Sequence, residues 1–366
     1  MQAAKVLHVM KRAFFLIIGI VVSVGCFAYS LRGTNPQELK TGFANANYLS
    51  LPLMLALLWA FYWLKTMRWA WLLAPVAPLT TKQLFAPMLI GFAFNNILPA
   101  HLGEFVRVFV VRRKYGVPAS TVLSTVVLER IFDVLAILAL FSLGLVFTKD
   151  LPEDYHNAAR FLGAAATGVV IAVAMYLVWT DAFIRFAAWC MSFFPFLPAK
   201  LATGVLDMLR KGADGLAALR SGKAVFLIAM SSLVQWLING VLGYVALRAF
   251  HIDVTPAAGL IVTGVTAFGV TIPSTPGYFG VIQMCFAVSM KAQPNPPDPS
   301  LVFGASIYYH MSMYIPVTML GLYYLGQSGL SFRDLQTAAE SKEASGEASA
   351  SPEADPANPY DPPTQT

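Results

Sequence analysis

Residues 225 to 249 read VFLIAMSSLVQWLINGVLGYVALRA, and the one formal charge in the run is Arg248. A stretch this long and this apolar fits best as a helix crossing the roughly 30 Å hydrocarbon core of a bilayer. There every backbone amide has to find its partner inside the helix. Comparable runs cover 13–31, 48–64, 119–147, 159–179 and 301–325. Together they predict an all-α, polytopic membrane protein with about six full spans. Composition agrees, because 12% of the 366 residues are charged, about half the share of a soluble domain.

Lys5, Lys11 and Arg12 precede the first run, which reads as an uncleaved signal anchor. The competing reading is a cleaved leader: SVGC before Cys26 faintly resembles a lipoprotein box, although Ser23 stands where Leu is usual. Lys and Arg set the orientation. The N-terminus, the 65–82 loop, Arg112 to Lys114 and the basic, amphipathic 181–222 segment belong on the cytoplasmic side. The loops 32–47, 149–158 and 251–255 belong outside. Residues 1–330 then form one transmembrane domain. The acidic, Ala/Ser/Glu/Pro-rich tail 331–366 is expected to be disordered and cytoplasmic.

This orientation alternates consistently only if 80–115 and 256–291 each enter and leave on one side. Both are therefore expected to be re-entrant, broken-helix hairpins. They also resemble each other. ILPAHLGEF at 97–105 matches TIPSTPGYF at 271–279, with Pro99 and Gly103 falling on Pro273 and Gly277. The following spans match as well, Ser120 on Ser300 and Arg130 on His310. Three spans separate the hairpins, which inverts the second copy. The expected layout is an inverted repeat of 80–148 and 256–327 with discontinuous helices meeting near mid-membrane.

Irregular backbone survives at that depth only where it is buried in protein or lines water. Asn95, Asn96, Thr271, Ser274 and Thr275 are candidates to satisfy the freed backbone groups around Pro99, Gly103, Pro273, Pro276 and Gly277, or to contact a ligand. Glu104 and Arg107 share a helix face, and so do Glu129 and Asp133, with Arg130 beside them. Charges inside a span are expensive and are functional candidates by default. A structural network, such as Arg107 with Glu129 or Arg130 with Glu104, is the competing reading. The second half offers Gln283, Tyr308, Tyr309 and His310, polar but weakly charged. Trp59, Tyr62, Trp63, Trp69 and Trp71 fit interfacial belts. Cys26, Cys190 and Cys285 are isolated, and the five His lack ligand spacing, so no metal, cofactor or disulfide framework is expected. No nucleic-acid motif is present.

NNILPAHLGEFVRVFVVRR, the SxVVLERIFD segment (Ser124 to Asp133) and IPSTPGYFGVIQ together resemble the lysylphosphatidylglycerol synthase transmembrane-region family of flippase-like membrane proteins. The resemblance covers about residues 10–328. It implies an all-helical inner-membrane protein related to modules that move lipids between leaflets. It marks Asn96, Pro99, Gly103, Glu104, Arg107, Glu129, Arg130 and Asp133 as characteristic residues, with Pro273, Pro276, Gly277 and Gly280 in the second loop. Gln283 departs from the acidic residue of many relatives, and no aminoacyl-transferase domain follows the last span.

The expected function is movement of an anionic phospholipid, glycolipid or polyprenyl-phosphate-type lipid between leaflets of a bacterial inner membrane. The substrate-binding set is Asn95, Asn96, Pro99, Gly103, Glu104, Arg107, Glu129, Arg130, Asp133, Pro273, Ser274, Thr275, Pro276, Gly277, Gln283, Tyr309 and His310. Two competitors are a membrane-embedded enzyme that modifies a lipid carrier, with Glu129 or Asp133 as base, and an accessory subunit of a lipid-modifying partner enzyme.

Overall fold

A computed structural model describes residues 17–98, 102–148, 180–192, 222–272 and 274–330, with isolated positions 157, 161, 164 and 168. Among the described residues the chain is helical and has no strand. Pro99, Pro273, most of the expected 159–179 span, residues 193–221 and the 331–366 tail lie outside them.

Among the described residues eleven α-helices are delimited, in this order. The first three are α1 (Ile17–Ser30), α2 (Pro36–Asn45) and α3 (Leu51–Leu73). Next come α4 (Thr81–Ile97), α5 (Gly103–Tyr115) and α6 (Ala119–Phe147). The remainder are α7 (Thr180–Ser192), α8 (Gly222–Ala249), α9 (Pro256–Gly269), α10 (Val281–Lys291) and α11 (Pro299–Gln327). Among the described residues three segments are long and apolar enough to cross a membrane: Tyr48–Leu73, Ala119–Phe147 and Gly222–Ala249. At 29 residues α11 has the length, but Ser300, Ser306, His310, Ser312 and Thr318 make it more polar.

The span expected at 48–64 is longer than its sequence suggested. Its helix runs on without a break to Leu73. Lys65 and Arg68 are therefore not in a cytoplasmic loop; they are 1% and 0% exposed inside α3. Trp69 is no belt residue either. It is fully buried and its indole N–H donates to Thr125 Oγ1 at 3.1 Å. The apolar WAWLL that follows Arg68 keeps the helix in the core, and internal carboxylates make the interface unnecessary for its cations.

Both broken segments are pairs of short antiparallel helices. α4 and α5 hold 17 and 13 residues, about 25 and 20 Å at the rise of an α-helix. The Tyr115 hydroxyl donates to the Gln83 carbonyl, so the two free ends sit side by side. At the closed end the backbones touch. A Cβ on Gly103 would lie 1.9 Å from the Gly91 carbonyl oxygen. α9 and α10 hold 14 and 11 residues and are joined by a loop with left-handed backbone at Gly277, Tyr278 and Gly280 (φ 75°, 60° and 85°). Glycine adopts that conformation without a Cβ penalty; Tyr278 carries it under strain.

The hairpins open at opposite ends of the bundle. The first opens where α3 ends: Trp69 and Leu73 pack with Leu84, Val111 and Val117. The second opens where α3 begins. There the Asn47 N–H donates to the Ala249 carbonyl, and Ser50 Oγ lies 2.8 Å from the Tyr308 hydroxyl. α3 and α8 cross antiparallel in the middle, with Leu72 by Ile228, Arg68 by Ser232 and Phe61 against Trp236. Around this pair α4 packs on α11 and α9 on α6, while α5 packs on α6 and α10 on α11. Exchanging α3–α6 with α8–α11 leaves these neighbours unchanged. Among the described residues, α2 and the 3-10 turns have no such counterpart.

α1 packs against the second loop. Ser23 Oγ accepts from the Thr275 N–H at 2.9 Å and lies 2.8 Å from Thr275 Oγ1. This supplies a partner for backbone that the break would leave bare at membrane depth.

Candidate functional site

α3, α5 and α6 bring their charges together at the centre of the first half. Glu129 lies 2.9 Å from Lys65 Nζ, 3.3 Å from Arg68 Nη2 and 3.0 Å from Arg107 Nη1. Asp133 lies 2.9 Å from Lys65 Nζ and 2.8 Å from Arg68 Nη1. It also lies 3.8 Å from Arg130 Nη1, and the Trp236 indole N–H donates to its Oδ1 at 3.0 Å from α8. Arg68 also donates to Ser232 Oγ. All five charged groups are at most 2% exposed. Spacing explains the cluster: Lys65 and Arg68 are three apart and Glu129 and Asp133 four apart, so each pair shares one helix face.

Three buried cations face two buried carboxylates, which leaves one positive charge in excess. The geometry is also incomplete. Both Glu129 oxygens lie at ion-pair distance from cations, yet neither has a well-angled hydrogen bond. Nε of Arg68 and both Nε and Nη2 of Arg107 have no acceptor. The nearest neighbours of Arg107 are otherwise soft: Met88 Sδ at 3.2 Å and the Trp69 ring, 4.9 Å below its guanidinium. Buried donors normally find partners and buried charges are normally compensated, so this network is unusual on both counts.

Arg130 and Glu104 form the outer edge of the network. They pair at 2.7 Å with 40% and 24% of their side chains exposed. This is the part of the network that an incoming group can reach without unpacking the bundle. Two cavities, of about 350 and 250 Å3, lie elsewhere. The first sits between the end of α6, α8 and α9, and the second between α1, α10 and the loop before α11.

The other expected site residues serve mainly to hold the breaks. Asn95 Oδ1 accepts from the Gly103 N–H at 2.8 Å, and Asn96 Nδ2 donates to Thr318 Oγ1 at 2.8 Å. Pro276 and Gly277 form a 3-10 turn that packs on α4, which brings the two hairpin tips together. Ser274 Oγ is buried without a partner. The Tyr309 hydroxyl donates to Asn239 Oδ1 at 3.0 Å. Gln283 and His310 are 1% and 3% exposed and close the second loop. The Gly280 N–H donates to Gln283 Oε1 at 2.7 Å, and Gln283 Nε2 meets His310 Nδ1 at 3.1 Å. The amide orientation makes Nδ1 the acceptor, so the ring proton sits on Nε2, where it can serve the Gly277 carbonyl. Gln283→Leu removes two of these bonds, each worth about 1 kcal/mol. Amide exchange across 276–281 should accelerate about thirtyfold while 103–115 is unchanged. Equal exchange in both segments would show that the clamp does not hold the loop.

Lys65, Arg68, Ser232 and Trp236 belong to the site and were not expected there. The available signal was charge balance: the three carboxylates Glu104, Glu129 and Asp133 outnumber the two arginines Arg107 and Arg130. Among the described residues no group of His, Cys, Asp and Glu is arranged to hold a metal ion.

A sequence profile described as the lysylphosphatidylglycerol synthase TM region matches residues 16–321. The chain belongs to this family. The family match takes in both hairpins and the whole charged network, and identifies an integral, multi-pass membrane protein. A UPF0104 membrane protein of Methanocaldococcus jannaschii is 23% identical over 229 residues, 62% of this chain and 90% of that one. Another, from Methanothermobacter thermautotrophicus, is 24% identical over 296 residues, 74% of this chain and 82% of that one. A Haloferax volcanii protein named Glycosyltransferase AglD is 24% identical over 259 residues, 62% of this chain. The chain spans 40% of the length of that relative. No solved structure matches the chain.

Proposed function

We propose that the chain moves a lipid with an anionic headgroup between the leaflets of a bacterial inner membrane. The observation that carries this reading is the buried network with one surplus positive charge and unfilled Arg107 donors, placed where the two hairpin tips meet. A lipid phosphate supplies the missing charge and acceptors together. Arg130 and Glu104 at the exposed edge receive the headgroup while the tails stay in the bilayer.

Helices of about 25 Å or less fall short of the hydrocarbon thickness. This supports re-entrant hairpins, one from each side; the basic residues near the N-terminus support a cytoplasmic start. The exchangeable neighbour scheme of α3–α6 and α8–α11 supports an inverted repeat, larger by one helix per half than the sequence match. In such a layout alternating access follows from rocking one half against the other.

The relative named as a glycosyltransferase favours a second reading, a role in modifying a lipid carrier, alone or beside a partner enzyme. Glu129 and Asp133 fit it poorly as general bases, because each is held by at least two cations. In liposomes carrying acyl-labelled phosphatidylglycerol, Arg130→Ala and Glu104→Ala should each slow transfer at least about tenfold, with melting temperatures close to wild type. Wild-type rates in both variants would end the transport reading, and a covalently altered lipid would favour the second.

A further inference from the structure

The polar face of α8 does not stop at the charged network. Ser232 meets Arg68 and Trp236 meets Asp133. Gln235, between them in sequence, is fully buried, and neither its amide nitrogen nor its amide oxygen has a partner. Thr266 on α9 is 9% exposed and its hydroxyl also lacks a partner. The helix register brings these two together. Thr263 donates to Asn239 Oδ1 at 3.3 Å, and a Cβ on Gly243 would sit 3.6 Å from the Gly259 carbonyl oxygen. α8 and α9 are therefore antiparallel, and one turn further along Gln235 lies level with Thr266.

Resting on the transport reading above, we propose that Gln235 and Thr266 form a hydroxyl-recognising subsite beside the cationic network, so that the lipid carried has a phosphate and at least one free headgroup hydroxyl. The chemistry of the unfilled atoms selects the ligand. A glutamine amide offers donors and an acceptor, and a threonine hydroxyl offers both. An anion leaves the amide oxygen unmet and a cation leaves the amide nitrogen unmet. A neutral hydroxyl serves both. Ordered water has the same hydrogen-bonding capacity, but water does not neutralise the surplus charge next door. A phosphate that carries a hydroxylated substituent answers both needs at once.

The test compares two phosphodiester lipids of equal charge, dioctanoyl phosphatidylglycerol and dioctanoyl phosphatidylmethanol. The second lacks headgroup hydroxyls. Binding to the full-length protein in detergent is followed by thermal shift. Wild type should bind phosphatidylglycerol about tenfold more tightly. Gln235→Leu and Thr266→Val should each bring the ratio to near one, with phosphatidylmethanol affinity within twofold of wild type. A wild type that binds both lipids equally, or variants that weaken both lipids in parallel, would show that these groups hold water alone and overturn the proposal. Transfer measured on the same preparations judges the transport reading separately: selective binding without transfer leaves the subsite standing and removes the transporter.

Discussion

Glu129→Gln should cost about 3–5 kcal/mol, the range found when one partner of a buried ion pair is removed. Lys65 and Arg68 keep Asp133 as a neighbour. Among the described residues Arg107 has no other carboxylate within ion-pair distance, so its charge is left uncompensated inside α5. The surplus among the buried groups rises from one positive charge to two. Lys65→Met has the opposite sign. It removes the surplus, and both carboxylates still have an arginine. Its cost should stay below about 2 kcal/mol, because a desolvated charge is replaced by a side chain of similar length. Melting temperatures of both variants in detergent decide the matter. A larger drop for Lys65→Met than for Glu129→Gln would refute the charge accounting, and with it the need for an anion.

The second large effect comes from one methyl group. In Gly103→Ala the added Cβ would lie 1.9 Å from the Gly91 carbonyl oxygen and 2.6 Å from Asn95 Oδ1. The first of these is backbone, which cannot turn aside. α5 must move away from α4, the Gly103 N–H loses Asn95, and Glu104 and Arg107 move with the helix. Overpacking of this kind costs typically 1–3 kcal/mol, and more where backbone blocks relaxation. Transfer should be lost as well, because Arg107 leaves Glu129. Gly116→Ala is the matched control. Nothing lies within 4 Å of its added Cβ, and the burden is its left-handed φ of 70°, about 1 kcal/mol. A variant at Gly103 that transfers lipid as well as the Gly116 variant would show that the close approach of α4 and α5 does not set the site.

Much of this arrangement is legible along the chain. Apolar runs of bilayer length locate α3, α6, α8 and α11, and Pro and Gly at matching spacing mark where helices break. Helical periodicity puts Glu104 with Arg107 and Glu129 with Asp133, and the pairs Arg107–Glu129 and Arg130–Glu104 follow from it. Lys65 and Arg68 were illegible for a physical reason. A cation at the end of an apolar run normally sits at the interface. Here five more apolar residues follow, and the carboxylates that make burial tolerable lie more than sixty residues away. Trp69 was misread for the same reason, since its Thr125 partner is equally remote. The partners of Gln283 and Thr275 are tertiary too, and nothing local announces them.

The Ser23–Thr275 contact has a consequence for how the molecule is made. α1 leaves the ribosome well before the loop that it supports, which is synthesised about 250 residues later. Among the described residues, the Ser23 face of α1 packs on the second loop and α10, which are not yet made. Its docking is a closing step that waits for the second half, so the first helix is among the last to be locked. A nascent chain halted before residue 275 should therefore leave Ser23→Cys open to a membrane-permeant thiol reagent, and completion of the second hairpin should shield it.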